Sequence, residues 1–591
     1  MQKILQNRRR VVACVALLML FLGMLLTNFT LSAFGTIQRN NLYLEGSDGV
    51  VHAEIFIPQD ASSEDKRPGI LCSTGGTGNL EVMENICLEL ARRGYVVITF
   101  DPYQVSRSET VKGSDGSDGG TVAYQHLISL DYVDADNTGL LGHSAGTGRI
   151  MGIYQSGINT SGIKAMYGLG AVLGATPDME VDVGFGVGSF DLTSLPKEDP
   201  ATSTTTGTNG AEYLNAKASV NALIGQDSKD TYEFNAWYDT VNGHKMIFYS
   251  GFYGHTLAFM VPWSIESVMD FFTTVLPTNT TLENSDLIYL WKSFGAVVAL
   301  IGFIMLILPL GSWLLDRKFF ASLKGTAPEP AGTANLPFWF FFFLPAILSA
   351  LIANWAIFEG QTWIDANIPF MRAGRTNGFI FWFACNATIT LVILVLRFMF
   401  DKNIDRNRMK MHLYTGAKGF GKALILGAVV FAVLYAVIML CTQQFGGEPR
   451  FWRIHHVAMS NERIGQFLIY LVPYLFFNLV AGYAQTLGFR IKGLPKWTFT
   501  FLILAASMLG SAIYLGNLYV GVFSTGISPV NSAAKSRAVN ALFTNIYCYI
   551  YTSKIQTYFY NKTGSFYVGS IINGILLCWL SLGMELLTAV V

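Results

Sequence analysis

The chain has 591 residues, 51% of them hydrophobic, and its 40 basic and 40 acidic side chains cancel to a formal net charge of zero. That length exceeds one ordinary domain, and a neutral chain without a basic tract interleaved with aromatics argues against nucleic acid as a partner. Seven cysteines stand singly, mostly inside apolar runs and without C-x-x-C spacing, so neither a zinc site nor a disulfide scaffold is implied; no metal and no cofactor is expected.

At the N-terminus, Lys3 and Arg8-Arg9-Arg10 precede an apolar run over residues 11–34 that is long enough to cross a bilayer. It reads as an uncleaved signal-anchor. The alternative is a long signal peptide, but the run is long for a signal core and the small-residue site near Ser32-Ala33 is poor. Either way the basic flank stays cytoplasmic and the segment after it is exported. The expected organisation is an anchor over 1–35, an exported domain over 36–285 and a polytopic membrane domain over 286–591.

Apolar strand-like runs alternate with amphipathic stretches through residues 36–285, an α/β pattern for which parallel strands with helical crossovers are the economical solution. GVVHAEIFIP (49–58) alternates as an antiparallel entry hairpin would, and PGILCS (68–73) is a buried strand leading into Thr74-Gly75-Gly76-Thr77-Gly78. A helix is expected over 79–94, a strand over YVVITF (95–100), a flexible Gly/Ser/Asp loop over 106–120 and a helix over 122–132. The strand NTGLLG then runs into Gly142-His143-Ser144-Ala145-Gly146. Further strands are expected at 163–171, 218–225 and 244–250, with a final helix over 263–275. Residues 176–215 read as an insertion, either a lid or a disordered excursion.

A G-x-S-x-G pentapeptide between a strand and a helix has a mechanical rationale. The serine occupies a tight turn that exposes its hydroxyl, and the flanking glycines let neighbouring backbone pack without Cβ clashes. A serine hydroxyl is a poor nucleophile at neutral pH, so a histidine must take its proton and a carboxylate must orient that histidine. His52 lies in the entry hairpin, His126 on a helix, His143 inside the motif pointing away from its neighbour, and His244 at the start of the last strand. His255, in GFYGHTLAF, follows that strand.

STGGTGN after the third strand, RRGYVVITFDPY through the fourth, DADNTGLLGHSAG at the fifth, LIGQD at the seventh and YGHT after the eighth together resemble the α/β-hydrolase family, in its dienelactone-hydrolase and esterase branch. The resemblance implies Ser144 as nucleophile, His255 as base and Asp227 as triad acid, with Asp230 a rival. The oxyanion hole would take the backbone N–H groups of Ala145 and Gly76. Where the family has His-Gly before that loop this chain has Thr74-Gly75, which leaves the loop's support unexplained.

In the remaining chain, spans are expected at 294–315, 337–358, 378–400, 422–442, 466–488, 498–520 and 567–590, with a doubtful one at 538–553. With the first segment running outward, the basic loops around Arg317-Lys318, between Lys402 and Lys422, and between Arg490 and Lys496 all face the cytoplasm, which supports an exported hydrolase domain independently. Asn386, Asn478, Gln485, Asn517 and Asn573 read as interhelical hydrogen-bonding groups, the alternative being a path or cavity lining. Glu585 must be protonated, paired or wetted. QTLGFR (485–490) and TGSFYVGSIIN (563–573) faintly resemble two motifs of the CAAX-protease membrane family, with Gln485 and Thr486 in place of paired glutamates and Asn573 in place of a histidine. The resemblance implies no proteolysis and at most a scaffold, and coincidence accounts for it better. His455-His456 beside Trp452 is expected to be a surface loop rather than a metal site.

The reading is thus an α/β-hydrolase domain joined to an all-α membrane domain: a membrane-anchored extracytoplasmic serine hydrolase acting on a small-molecule ester or lipid. The alternatives are an acyltransferase using the same acyl-enzyme and a transporter or sensor whose hydrolase-like domain only binds. The lipid bilayer is the one macroscopic partner implied, and the oligomeric state is not legible.

Overall fold

The computed structural model describes residues 2–589 apart from 77, 192, 194–216, 226–232, 331, 408–415, 453, 495, 526–532 and 584. Asp227 and Asp230 lie outside the described residues. The chain forms two compact units, one holding Leu26–Phe294 with Leu518–Arg537 and Leu586–Val591, the other holding Met1–Leu25, Gly295–Asn517 and Ala538–Glu585.

The first unit is built on a nine-stranded sheet. Its strands are β1 (Ile37–Glu45), β2 (Val50–Pro58), β3 (Arg67–Ser73), β4 (Val96–Phe100), β5 (Val133–His143), β6 (Ile163–Leu169), β7 (Asp182–Gly188), β8 (Trp237–Asp239) and β9 (Lys245–Gly251). The spatial order is β1-β2-β4-β3-β5-β6-β7-β9-β8, parallel from β4 through β9 with antiparallel β1, β2 and β8 at the edges. Helices α2 (Glu84–Arg92), α3 (Gly120–Ser129), α4 (Gly146–Gln155), α5 (Ala218–Leu223) and α6 (Pro262–Val275) accompany it. This is the α/β-hydrolase architecture. The central strands read as unbroken apolar runs because they are covered on both faces: every residue of β4 and the stretch Gly69–Ser73 of β3 are buried.

Two expected elements differ. Residues 218–225 hold the short helix α5 rather than a strand. The parallel strand next to β9 is instead β7, inside the stretch read as an insertion. Its glycines explain the disguise, since glycine is depleted in strands. A Cβ at Gly184 would lie 2.4 Å from Tyr167 Cδ2 and one at Gly186 2.4 Å from Tyr167 Oη, so β7 needs glycine to make room for the tyrosine ring of β6.

The second unit is helical. It contains most of α1 (Gln2–Leu31), α7 (Tyr289–Leu315), α8 (Leu336–Asn367), α9 (Gly374–Phe400), α10 (Gly416–Phe445), the two-residue strands β10 (Arg450–Phe451) and β11 (Ile454–His455), and α11 (Asn461–Tyr483), which a π-helical turn over Ala484–Gly488 prolongs. Helices α12 (Lys496–Thr525), α13 (Ala533–Thr563) and α14 (Tyr567–Gly583) follow. Among the described residues six helices are long and apolar enough to cross a membrane: Asn7–Leu31, Tyr289–Leu315, Leu336–Asn367, Gly374–Phe400, Lys418–Phe445 and Asn461–Gly488. The chain therefore carries the features of an integral membrane protein.

Within this unit Glu585 is paired, its Oε1 accepting from Arg375 Nε at 3.1 Å and Nη2 at 3.0 Å, which meets the cost of a carboxylate among apolar helices. The His455-His456 pair departs from expectation. Both residues are buried, because the β10–β11 hairpin folds inward and sets the His456 ring between Phe303 and Trp579, at centroid distances of 5.5 and 4.9 Å.

Candidate active site

Only Ser144 and Ala145 separate the end of β5 from the start of α4, and that brevity forces Ser144 into the left-handed region at φ 54°. A β-carbon-bearing residue pays for such a conformation, and strain of this kind concentrates at functional sites. The turn is held by Ser144 N–H donating to Leu169 O at 2.8 Å and by Thr147 donating to Ser144 O through its backbone N–H at 3.0 Å and its hydroxyl at 2.6 Å. Both motif glycines are required sterically. A Cβ on Gly142 would stand 2.4 Å from Gly146 O, and one on Gly146 would stand 2.4 Å from Ser73 O.

His255 begins a short turn just past β9, and its Nε2 lies 2.8 Å from Ser144 Oγ. Its other nitrogen, Nδ1, lies 2.6 Å from Asp191 Oδ2. The carboxylate can only accept, so the proton sits on Nδ1 and Nε2 is left as the acceptor for the serine hydroxyl. Ser144 and His255 are thus brought together as the sequence suggests, and the carboxylate that meets the histidine is Asp191, three residues beyond β7. Sequence reasoning missed Asp191 because it missed β7. The signal that could have found it is the period-two run Val181, Val183, Phe185, Val187, which marks a strand ending shortly before an aspartate.

Asp191 is fully buried. Burial by itself would raise its carboxyl, but the His255 ring and Thr193 overcome that and hold it below the usual carboxylate range. Thr193 donates to Asp191 Oδ1 twice, from its backbone N–H at 2.9 Å and its hydroxyl at 2.6 Å, while its oxygen also lies 2.8 Å from His255 Nδ1. His143, at the end of β5, packs its ring 5.0 Å from that of His255 and directs Nε2 at the His255 carbonyl, 3.2 Å away. A carbonyl accepts only, so this nitrogen carries a proton and His143 clamps the backbone of the histidine turn. Gly170, at φ +66°, passes beside the same ring, where a Cβ would approach His255 Cε1 to 3.2 Å.

The loop after β3 is supported from two sides, which answers the missing His-Gly. Arg149, on α4 one turn past the serine, donates from Nη1 to Thr74 O at 2.9 Å and from Nε to Asp118 Oδ2 at 2.8 Å. Asp101 Oδ1 accepts from Leu80 N–H at 2.7 Å, and Asp101 is itself fixed by His52 Nδ1 at 2.8 Å. His52, set aside in the sequence as an entry-hairpin residue, is therefore a buried partner of Asp101. Among the described residues, neither Gly76 nor Ala145 donates its N–H to a backbone carbonyl outside the helices and strands. The described residues contain no group of three or more His, Cys, Asp or Glu placed to hold a metal ion.

No protein-family model matches the chain, and no curated protein sequence does either. Solved structures do. A protein from Klebsiella pneumoniae assigned as a dienelactone hydrolase shares 13% identity over 40% of this chain and 98% of its own, with a TM-score of 0.28. A promiscuous dienelactone hydrolase-like phosphotriesterase from metagenomic libraries shares 12% over 41% and 99%, at 0.27. A thermophilic carboxylesterase cloned from a metagenomic library shares 20% over 29% and 56%, at 0.21. The chain spans 43% of the length of a hypothetical protein from Pseudomonas aeruginosa that it also matches. Scores and identities this low are no guide to substrate.

Proposed function

We propose that this protein is a membrane-integral serine hydrolase of the esterase type, with its hydrolase unit outside the cytoplasm. The observation that carries the reading is the relay Ser144 Oγ, His255 Nε2 and Nδ1, Asp191 Oδ2, with heavy-atom separations of 2.8 and 2.6 Å. Ser144 Oγ bonds to the ester carbonyl carbon as its proton passes to His255 Nε2. Asp191 keeps the imidazole in the required tautomer and stabilises the imidazolium that forms. The Ala145 and Gly76 amides stabilise the oxyanion, and collapse expels the alcohol, which leaves with the histidine's proton. Water then repeats the sequence on the acyl-enzyme, releasing the acid and restoring Ser144. The basic loops assigned to the cytoplasmic side support the exported orientation.

The test is steady-state hydrolysis of p-nitrophenyl esters of increasing chain length by the purified full-length protein. The proposal expects turnover that disappears in Ser144→Ala, with free acid as the product even when alcohols are added. Activity surviving in Ser144→Ala would reject this serine as nucleophile, and an alcohol ester as main product would make the enzyme a transferase.

A further inference from the structure

Within the helical unit a partly open cavity of about 150 Å³ is lined by parts of α8, α9, α11, its π-helical turn, α12, α13 and α14. Its α8 side is mostly apolar, with Phe342, Pro345 and Ala346 beside Ser349, and five carboxamides converge on it: Asn386 from α9, Asn478 and Gln485 from α11 and its π-helical turn, Gln556 from α13 and Asn573 from α14. Among the described residues, no acidic or basic side chain lines it. We propose that this cavity is a binding site for a small neutral, hydroxyl-rich group, presented either as a free polyol or as the head group of a lipid.

The hydrogen-bond inventory decides the class of ligand. Asn573 is 5% exposed, and its Nδ2 is committed to Thr552 O at 2.9 Å, while its Oδ1 is buried with no partner among the described residues. Asn386 Oδ1 is in the same condition. Asn478 and Gln556 are tied back to their surroundings, through Tyr474 O at 2.8 Å and Phe566 O at 3.1 Å, and so hold the walls in place. Buried acceptors without donors are costly, and they call for a guest that donates. A phosphate or carboxylate donates nothing and would meet no cation here. An ammonium would donate but would meet no carboxylate to balance its charge. A hydroxyl group donates to Asn573 and Asn386 and can still accept from the Gln485 amide. Gln485 sits in the π-helical turn over Ala484–Gly488, a local departure from α geometry that recurs at binding sites. The volume equals roughly five water molecules of liquid, the size of glycerol or part of a hexose ring.

The experiment measures saturable binding to the full-length protein in phosphatidylcholine nanodiscs, with radiolabelled monoglucosyl diacylglycerol and radiolabelled methyl glucoside as probes. At least one probe is expected to bind at one per chain without competition from added phosphatidylcholine. Binding of both identifies the free hydroxylated group as sufficient, and binding of the glycolipid alone places that group on a lipid. Asn573→Leu and Gln485→Leu, checked for monodisperse elution and unchanged melting, are each expected to weaken binding roughly tenfold, as loss of a buried hydrogen bond would. Should Asn573→Leu not fold, Gln485→Leu, at a less buried position, decides. No saturable binding of either probe, or binding unmoved in the folded variants, would mean that the cavity holds water only and would overturn the proposal.

Discussion

Replacing Asp191 by asparagine changes one atom and reverses the logic of the relay. Asp191 Oδ1 accepts two hydrogen bonds from Thr193, at 2.9 and 2.6 Å, so the asparagine carbonyl oxygen will take that position and its NH₂ will face His255 Nδ1. Nδ1 must then accept, the proton moves to Nε2, and the nitrogen 2.8 Å from Ser144 Oγ can no longer take the serine's proton. Loss of the orienting carboxylate in such relays costs about 10⁴ in kcat, which at about 1.4 kcal/mol per tenfold is about 5.5 kcal/mol of transition-state stabilisation. Because the side chain keeps its shape and its Thr193 bonds, the fold should survive. The assay is kcat/KM on a p-nitrophenyl ester together with the rate of fluorophosphonate labelling, with Asp227→Asn run in parallel. Asp191→Asn is expected to lose on the order of 10³ to 10⁴ in both, and Asp227→Asn to stay within about threefold. Asp191 is not the triad acid if Asp191→Asn retains a tenth or more of the activity, or if Asp227→Asn is the variant that collapses.

Three further outcomes follow from the geometry. Gly146→Ala places a methyl 2.4 Å from Ser73 O and 2.7 Å from Thr74 O, backbone atoms that cannot step aside, so a loss of about 1–3 kcal/mol in thermal or denaturant unfolding is expected. Arg149→Met removes the donor to Thr74 O and should lower kcat roughly 10- to 100-fold with little change in KM, which steady-state kinetics will separate. The folded Asp191 carboxyl lies below its unfolded value of about 3.9. Its stabilising contribution is therefore complete above that value and is lost as pH falls through the lower folded value. Melting temperatures between pH 6 and pH 3 should show wild type and Asp191→Asn converging at the acid end.

What the sequence made legible is what local chemistry enforces. The Ser144 turn could be read because a two-residue strand-to-helix connection demands glycine at Gly142 and Gly146, and the histidine could be placed because His255 falls shortly after the last apolar strand, where the resemblance to the α/β-hydrolase family implies a catalytic histidine. The acid could not, because the room β7 makes for Tyr167 is written as glycines, which dilute the strand signal and make 176–215 look like an insertion. Residues 218–225 carried enough apolar character to pass for the missing strand, although tertiary packing makes them helix α5. Support of the loop after β3 was equally hidden, since Arg149 and Thr74 are distant in sequence and meet only when β3 and β5 lie side by side. In the helical unit Asn386, Asn478, Gln485 and Asn573 stand out one by one in the sequence and Gln556 does not, and the convergence of the five on one cavity depends on the packing of several helices.

Whether Ser144 is an activated nucleophile is read out by intact-protein mass spectrometry after treatment with a fluorophosphonate. One adduct per chain is expected, mapped to the peptide carrying Ser144, absent in Ser144→Ala and slowed by orders of magnitude in His255→Ala and Asp191→Asn. A folded wild-type protein that forms no adduct, or forms it on a different residue, would contradict this expectation.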